Sequence, residues 1–357
     1  MINGYQPQNR LSIMRVVGVG GFAPLAEVNC MKSKQNTMNF YQSKKIEIMP
    51  RMGECENVLF PFNGFNEHPL NETTGKDWFG VDWEFMEAAG AATPSCTVPH
   101  VMTDICKWRE QVQFPDLDNW DWEEAARIDN VDSIDRENEV FVLTQLQGPW
   151  ERTHSLMGFE EALLAIMEEP EAIEEFFEAM TQWKIKLITK LHEYYKPDVI
   201  LFHDDYGTQR GMFFSPDTWR AMLKDRLARI VDCTHELGMT FGLHSCGKYE
   251  EIVPDLCEIG VDMIQCMDIL DLSRVLAETD GRMSFQASVH TQLFESMDKA
   301  GELTPEYVRE RCYREFMEWG KTGHYTAFIF PPSHWYEEIV SDVFEEVRQQ
   351  LAGTYTR

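Results

Sequence analysis

From residue 138 onward the chain alternates short apolar runs with longer amphipathic segments, and this alternation limits the fold more than any other feature. Six runs read as strands, at 139–144, 198–202, 239–243, 261–266, 282–287 and 325–330. The first, EVFVLT, is rich in β-branched and aromatic residues and nearly continuous in apolar character, as a strand buried on both faces must be. Between the runs the period changes. Ile173, Phe176, Phe177, Met180, Trp183, Leu187 and Leu191 recur mostly at three- and four-residue steps. They paint one stripe along a helical stretch at 159–195 that has room for breaks. Ser215 and Pro216 open another helix, one as cap and one as first-turn residue, and Gly238 ends it. Further helices are expected at 249–259, 272–279, 305–319 and 337–351.

Strands joined by crossover helices make a parallel sheet. The expected fold class is α/β, a (β/α)8 TIM barrel with an irregular N-terminal extension. A length of 357 residues suits one such barrel. Residues 1–135 form the extension and the first barrel strands, and 136–357 form the remainder, which carries the site. Two strands must come from the N-terminal part, near 46–60, to complete eight. An open doubly wound sheet is the alternative, but no Gly-x-Gly-x-x-Gly turn follows any strand, so a dinucleotide fold has no support.

Composition narrows the partners. With 60 acidic and 32 basic residues the net charge is −28, which repels phosphate backbones and argues against nucleic acid. No apolar run approaches 18 residues, so no membrane span is expected. Residues 1–15 lack a basic segment followed by an apolar stretch, and the nine cysteines show no disulfide framework. A cytoplasmic protein with reduced thiols is the expectation.

In a barrel, the loops after the strands build the active face. Polar residues gather at those positions: Gln145 and Gln147, then His203, Asp204 and Asp205, then His244 and Cys246, then Gln265, Cys266 and Asp268, then Gln286, Ser288 and His290, and last Ser333 and His334. Any one of them alone could be a satisfied capping residue. His244 and Cys246 are the sharpest pair. In extended backbone, residues two apart point to the same side, so an imidazole and a thiolate converge, and zinc binds both. Gly247 lets the backbone turn immediately afterwards. A buried histidine beside a buried cysteine is the plain alternative. Two consecutive aspartates point opposite ways, so one of Asp204 and Asp205 enters the pocket as an acid, base or hydrogen-bond partner. Tyr206 and Gln209 could add hydrogen bonds. Gln145, Gln147, His203 and Gln286 complete the candidate substrate-binding set.

Two runs in series, FHDDYGTQRGMFFSP at 202–216 and ELGMTFGLHSCG at 236–247, resemble the uroporphyrinogen decarboxylase superfamily, and within it the corrinoid-dependent methyltransferase branch. Gly260-Val261-Asp262-Met263 and Pro332-Ser333-His334 are similar too. The resemblance covers 138–345 clearly and the N-terminal part loosely. It implies a (β/α)8 barrel, a zinc held by the His-x-Cys pair His244 and Cys246, and a later ligand that is often cysteine. Here 326–330 contains no cysteine, which weakens the case for a thiol acceptor and leaves Cys266, His290 and His334 as candidates for the remaining ligand. The decarboxylases of the superfamily use an arginine-rich N-terminal segment, against which this chain sets only Arg10, Arg15 and Arg51. The branch with these motifs resembles the methyl-donor-side methyltransferase of O-demethylase systems. That implies transfer of a methyl group from a small methyl ether to the cobalt of a separate corrinoid protein. In such a transfer the metal at His244 and Cys246 is expected to polarise the ether oxygen, with Asp204 or Asp205, and Tyr206, as catalytic partners. A methylamine or thiol methyltransferase, or a decarboxylase, is the alternative, and a homo-oligomer is compatible with all of them.

Overall fold

The computed structural model describes residues 30–69, 74–86, 91–329 and 334–356. Ten strands are present among these residues: β1 (Glu56–Leu59), β2 (Gly75–Lys76), β3 (Asp82–Met86), β4 (Ala91–Pro94), β5 (Val140–Gln145), β6 (Val199–His203), β7 (Thr240–Ser245), β8 (Met263–Cys266), β9 (Ser284–Ser288) and β10 (Tyr325–Phe328). The helices are α1 (Cys30–Tyr41), α2 (Trp108–Gln111), α3 (Trp122–Ile128), α4 (Pro149–Met157), α5 (Phe159–Glu168), α6 (Pro170–Tyr194), α7 (Pro216–Trp219), α8 (Asp225–Glu236), α9 (Val253–Glu258), α10 (Leu272–Thr279), α11 (Thr291–Lys299), α12 (Pro305–Gly320) and α13 (Trp335–Leu351). α7 and α8 run on through a π-turn at Arg220–Lys224.

Seven strands pair in parallel in the order β1-β5-β6-β7-β8-β9-β10, curling into a TIM-barrel-like sheet with helices outside. All six strand readings from 138 onward are present, and the N-terminal part supplies β1 within the expected 46–60 window. The second strand expected in that window is not formed. The chain at 46–50 is instead tied to β10, where Thr326 Oγ1 donates to the Pro50 carbonyl (2.6 Å), and to α13, where Arg348 Nε donates to that of Met49 (2.7 Å). The extension also carries a separate antiparallel sheet, β2-β3-β4.

Alternation along each strand divides the residues into two sets. Phe141, Leu143, Ile200, Phe202, Phe241, Leu243, Ile264 and Phe285 point outward into the main core under the helices. Val140, Val142, Val199, Leu201 and Met263 point inward, and α1 packs Phe40 and Tyr41 against them. This plug fills the N-terminal end of the barrel and leaves the upper interior to the next inward residues along each strand. No helix among the described residues is long and apolar enough to cross a membrane.

Candidate functional site

The inward positions one step above the plug form a single row. His203 pairs with His244, His244 with Gln265, Gln265 with Gln286, and Gln286 with Thr326, across five neighbouring strands. The side chains connect along that row. The His203 and His244 rings stack at 4.3 Å between centroids and 23° between planes. His244 Nδ1 meets Gln265 Oε1 at 2.8 Å, and Gln265 Nε2 donates to Gln286 Oε1 at 2.6 Å. Since the Gln265 amide nitrogen is committed to Gln286, its oxygen faces His244 as acceptor. His244 therefore carries its proton on Nδ1 and keeps a lone pair on Nε2.

That lone pair points at sulfur. Cys246 Sγ lies 3.4 Å from His244 Nε2. A carboxylate oxygen of Asp205 completes a group whose ligand atoms all fall within 4.8 Å of one another, the one such His/Cys/Asp/Glu group among the described residues. Cys246 N–H donates to Asp205 Oδ1 at 2.6 Å, which fixes the aspartate beside the thiol. Burial first, and then the Asp205 charge, push the Cys246 thiol well up. A divalent cation would reverse that balance by replacing the proton.

The loops after β6 and β7 are bound together beneath this group. Tyr206 N–H donates to Ser245 Oγ (3.0 Å) and Lys248 N–H to the Thr208 carbonyl (2.8 Å). Gly247 has φ +82°, and a Cβ there would lie 2.0 Å from the Gly207 carbonyl carbon. Gly247→Ala is therefore expected to cost about 1–3 kcal/mol in denaturant unfolding, from the left-handed backbone and the forced separation of the loops. Were a metal held by this group, its content would fall at the same time, because Cys246 moves with the turn. Gln265→Leu tests the histidine's orientation. It should weaken zinc binding about 10- to 100-fold in a chelator competition while leaving the fold intact, the usual effect of removing the partner of a ligating histidine.

The other candidates divide by strand face. Asp204 follows inward-facing His203, so it points outward. It is fully buried, accepts from Glu151 N–H (2.8 Å) and Trp150 N–H (3.4 Å) at the start of α4, and accepts from the Tyr206 hydroxyl (3.1 Å). Burial pushes its carboxyl up to about 7 against those bonds. A Cβ on Gly148 would overlap this carboxylate at 2.4 Å, so the turn before α4 needs glycine. Asp204 and Tyr206 thus hold α4 in place, and Asp205 is the member of the pair that reaches the centre. Gln145 also points outward and bonds buried Glu67. Gln147 accepts from Ser155 Oγ (2.6 Å). Gln209 is exposed on the loop after β6. Only His203 and Gln286 of the substrate-binding set face the interior row.

The three further ligand candidates stand apart from the centre. Cys266 pairs with Ser245 and points outward, buried in the core. His290 is held between Glu315 and Asp268, its Nδ1 3.7 Å from the latter. His334 caps α13 with Glu337. Ser333 lies outside the described residues, as do Arg10 and Arg15; Arg51 donates to Ser341 Oγ (2.8 Å) and faces Glu345.

A buried ionic network lies behind β5. Lys184 Nζ bonds Glu67 and the Leu146 carbonyl, Arg152 bonds Asp77 and the Glu67 carbonyl, and Asp77 also accepts from Trp83 Nε1 (3.0 Å). It ties the extension to α4 and α6. The sequence offered no periodic signal for it, since Lys184 sits inside a helical stripe and Glu67 in an irregular segment. Gln265 was missed as a partner of His244 because only strand register places the two side by side.

The uroporphyrinogen decarboxylase (URO-D) family model matches residues 77–295, more than half of the chain. No curated protein matches the sequence significantly. Among solved structures, a methyltransferase from Methanosarcina mazei superposes with a TM-score of 0.60 at 13% identity, covering 89% of this chain and 98% of that one. That likeness shows a shared fold.

Proposed function

Because the chain belongs to the uroporphyrinogen decarboxylase family, we propose that it acts as the methyltransferase that accepts a small methylated donor, a methyl ether, and passes the methyl group to the cobalt of a separate corrinoid protein. The observation that carries this reading is the inward-facing group of His244, Cys246 and Asp205 at the carboxyl ends of the strands. One imidazole nitrogen with a fixed lone pair, one thiol and one carboxylate suit zinc. A zinc ion held there would supply a Lewis acid that draws charge from the donor oxygen as the methyl group departs.

The protein's own residues would do the rest. Gln265 and Gln286 keep the His244 proton on Nδ1. The Cys246 amide keeps Asp205 turned toward the thiol. His203, stacked on His244 and edge-on to Phe60 at 6.4 Å between centroids, offers a flat, partly apolar wall for the donor. In the transfer the C–O bond of the ether breaks, a C–Co bond forms on the reduced corrinoid, and the oxygen leaves as an alkoxide or phenoxide that takes up a proton.

The test is a screen of methoxylated aromatics and methylamines with a reduced corrinoid protein as acceptor, read by the methylcobalamin spectrum. Methyl transfer from an ether and none from amines is expected. Loss of carboxyl groups from uroporphyrinogen, without methyl transfer from any donor, would overturn the proposal.

A further inference from the structure

We propose that the outer face of α5, centred on Leu164 and Met167, is the seat of the corrinoid protein, which meets it with an apolar surface rimmed by lysines and arginines; the inference rests on the methyl-transfer reading above. The composition of the helix is the first ground. Apart from Glu160, Glu161 and Glu168, every residue of α5 (FEEALLAIME) is apolar. A helix that is apolar nearly all round is normally covered on every side. Here one side only is covered, where Ala162, Ala165 and Ile166 are buried. Leu164 is 47% exposed, Met167 79% and Phe159 42%. Leu164 and Met167 are three residues apart and share a face, and methionine adapts readily to the contours of a partner.

Charge selects the partner. From Phe159 to Glu178 the chain carries eight glutamates and no lysine or arginine. Glu160 and Glu168 stand four residues to either side of Leu164, so carboxylates flank the apolar pair. The acidic strip continues onto the start of α6, where Glu171, Glu174, Glu175 and Glu178 line an open groove of about 520 Å³ together with Arg109 and Arg226. A second copy of this face would set its own glutamates against one another. A basic-rimmed apolar surface gains on both counts, by covering the leucine and methionine and by meeting the carboxylates. Position selects the same partner. Phe159, the first residue of α5, packs edge-on to Phe213 in the loop after β6 at 4.9 Å between centroids, and against Trp150 at 5.9 Å. The Trp150 N–H in turn donates to Asp204, the neighbour of Asp205 in the clustered group. A protein that must bring its cobalt to that group therefore lands beside α5.

Leu164→Gln with Met167→Gln removes the apolar pair, adds no charge and touches no residue of the site. Methyl transfer is measured to two acceptors: free reduced cobalamin, which needs no protein contact, and the reduced corrinoid protein that accepts methyl groups from the wild type. With free cobalamin the variant should match the wild type within about twofold, as surface substitutions do. With the corrinoid protein its KM should rise at least about 10-fold at unchanged kcat, the loss expected when an anchor leaves the core of an interface. The wild-type KM for the protein acceptor, and not for free cobalamin, should climb with ionic strength. An unchanged KM for the corrinoid protein in the variant would overturn the assignment and leave the methyl-transfer reading intact. Equal losses with both acceptors would overturn it too, by showing a role in folding. So would a wild-type dimer in sedimentation that the variant dissociates, since a second copy would then occupy the face. No transfer by the wild type to either acceptor would remove the reading and this inference together.

Discussion

Cys246→Ala and His244→Ala are each expected to leave the purified protein with well under one zinc per chain and to reduce methyl transfer at least about 10³-fold. Each removes one of three clustered donor groups, and affinity in such a site falls steeply when a direct ligand is lost. The rate effect follows from losing several kcal/mol of charge stabilisation on the departing oxygen, each 1.4 kcal/mol of which is worth about tenfold. Elemental analysis and the cobalt spectrum measure the two effects separately. The fold should survive, because both side chains project into the upper interior above the packed plug and neither belongs to the main core. Cys266→Ala is the matched control. That thiol sits one strand away on the outward face, so zinc content should stay at the wild-type value. Wild-type zinc content in both the Cys246 and the His244 variants would end the metal reading.

Lys184→Met is expected to cost about 3–5 kcal/mol of stability, the penalty for leaving one half of a buried ion pair without its partner. Both Lys184 and Glu67 are buried, and among the described residues the lysine's hydrogen-bond partners are the Glu67 carboxylate and the Leu146 carbonyl. Burial pulls the lysine down to about 8, so the ammonium form still predominates at neutral pH, and burial raises the glutamate. Adding Glu67→Leu to Lys184→Met should recover part of the loss, since the stranded carboxylate is then gone as well. Denaturant midpoints at constant slope measure both variants. A single variant no less stable than wild type would show that the network does not hold the extension to α4 and α6.

The sequence announced the barrel because six of its strands are buried on both faces, so each reads as an unbroken apolar run between turn residues. β1 was harder: only Val58 and Leu59 in it are apolar, and Val58 is 37% exposed. α11 left no stripe to follow, since TQLFESMDK buries Phe294 among mainly polar neighbours. β2 has two residues, too few for any period to register. At the site, the pairing of His244 with Cys246 was legible from spacing alone. The choice between Asp204 and Asp205 was legible in principle, because His203 and Asp204 must face opposite ways. It became clear only once β6 was seen to turn His203 inward. Gln265 lies beyond such counting, since it reaches the histidine through cross-strand register.

The row from His203 to Gln286 is a rung of the parallel ladder, so its spacing is inherited from main-chain hydrogen bonds in the best-protected part of the molecule. Its amides should be among the last to exchange with deuterium, while the loop at 207–212 exchanges early. Reactivity and selectivity are thereby housed in different layers. Under the proposed function, substitutions on the rim would change which compound is admitted without retuning the imidazole, and a library confined to those loops tests that separation.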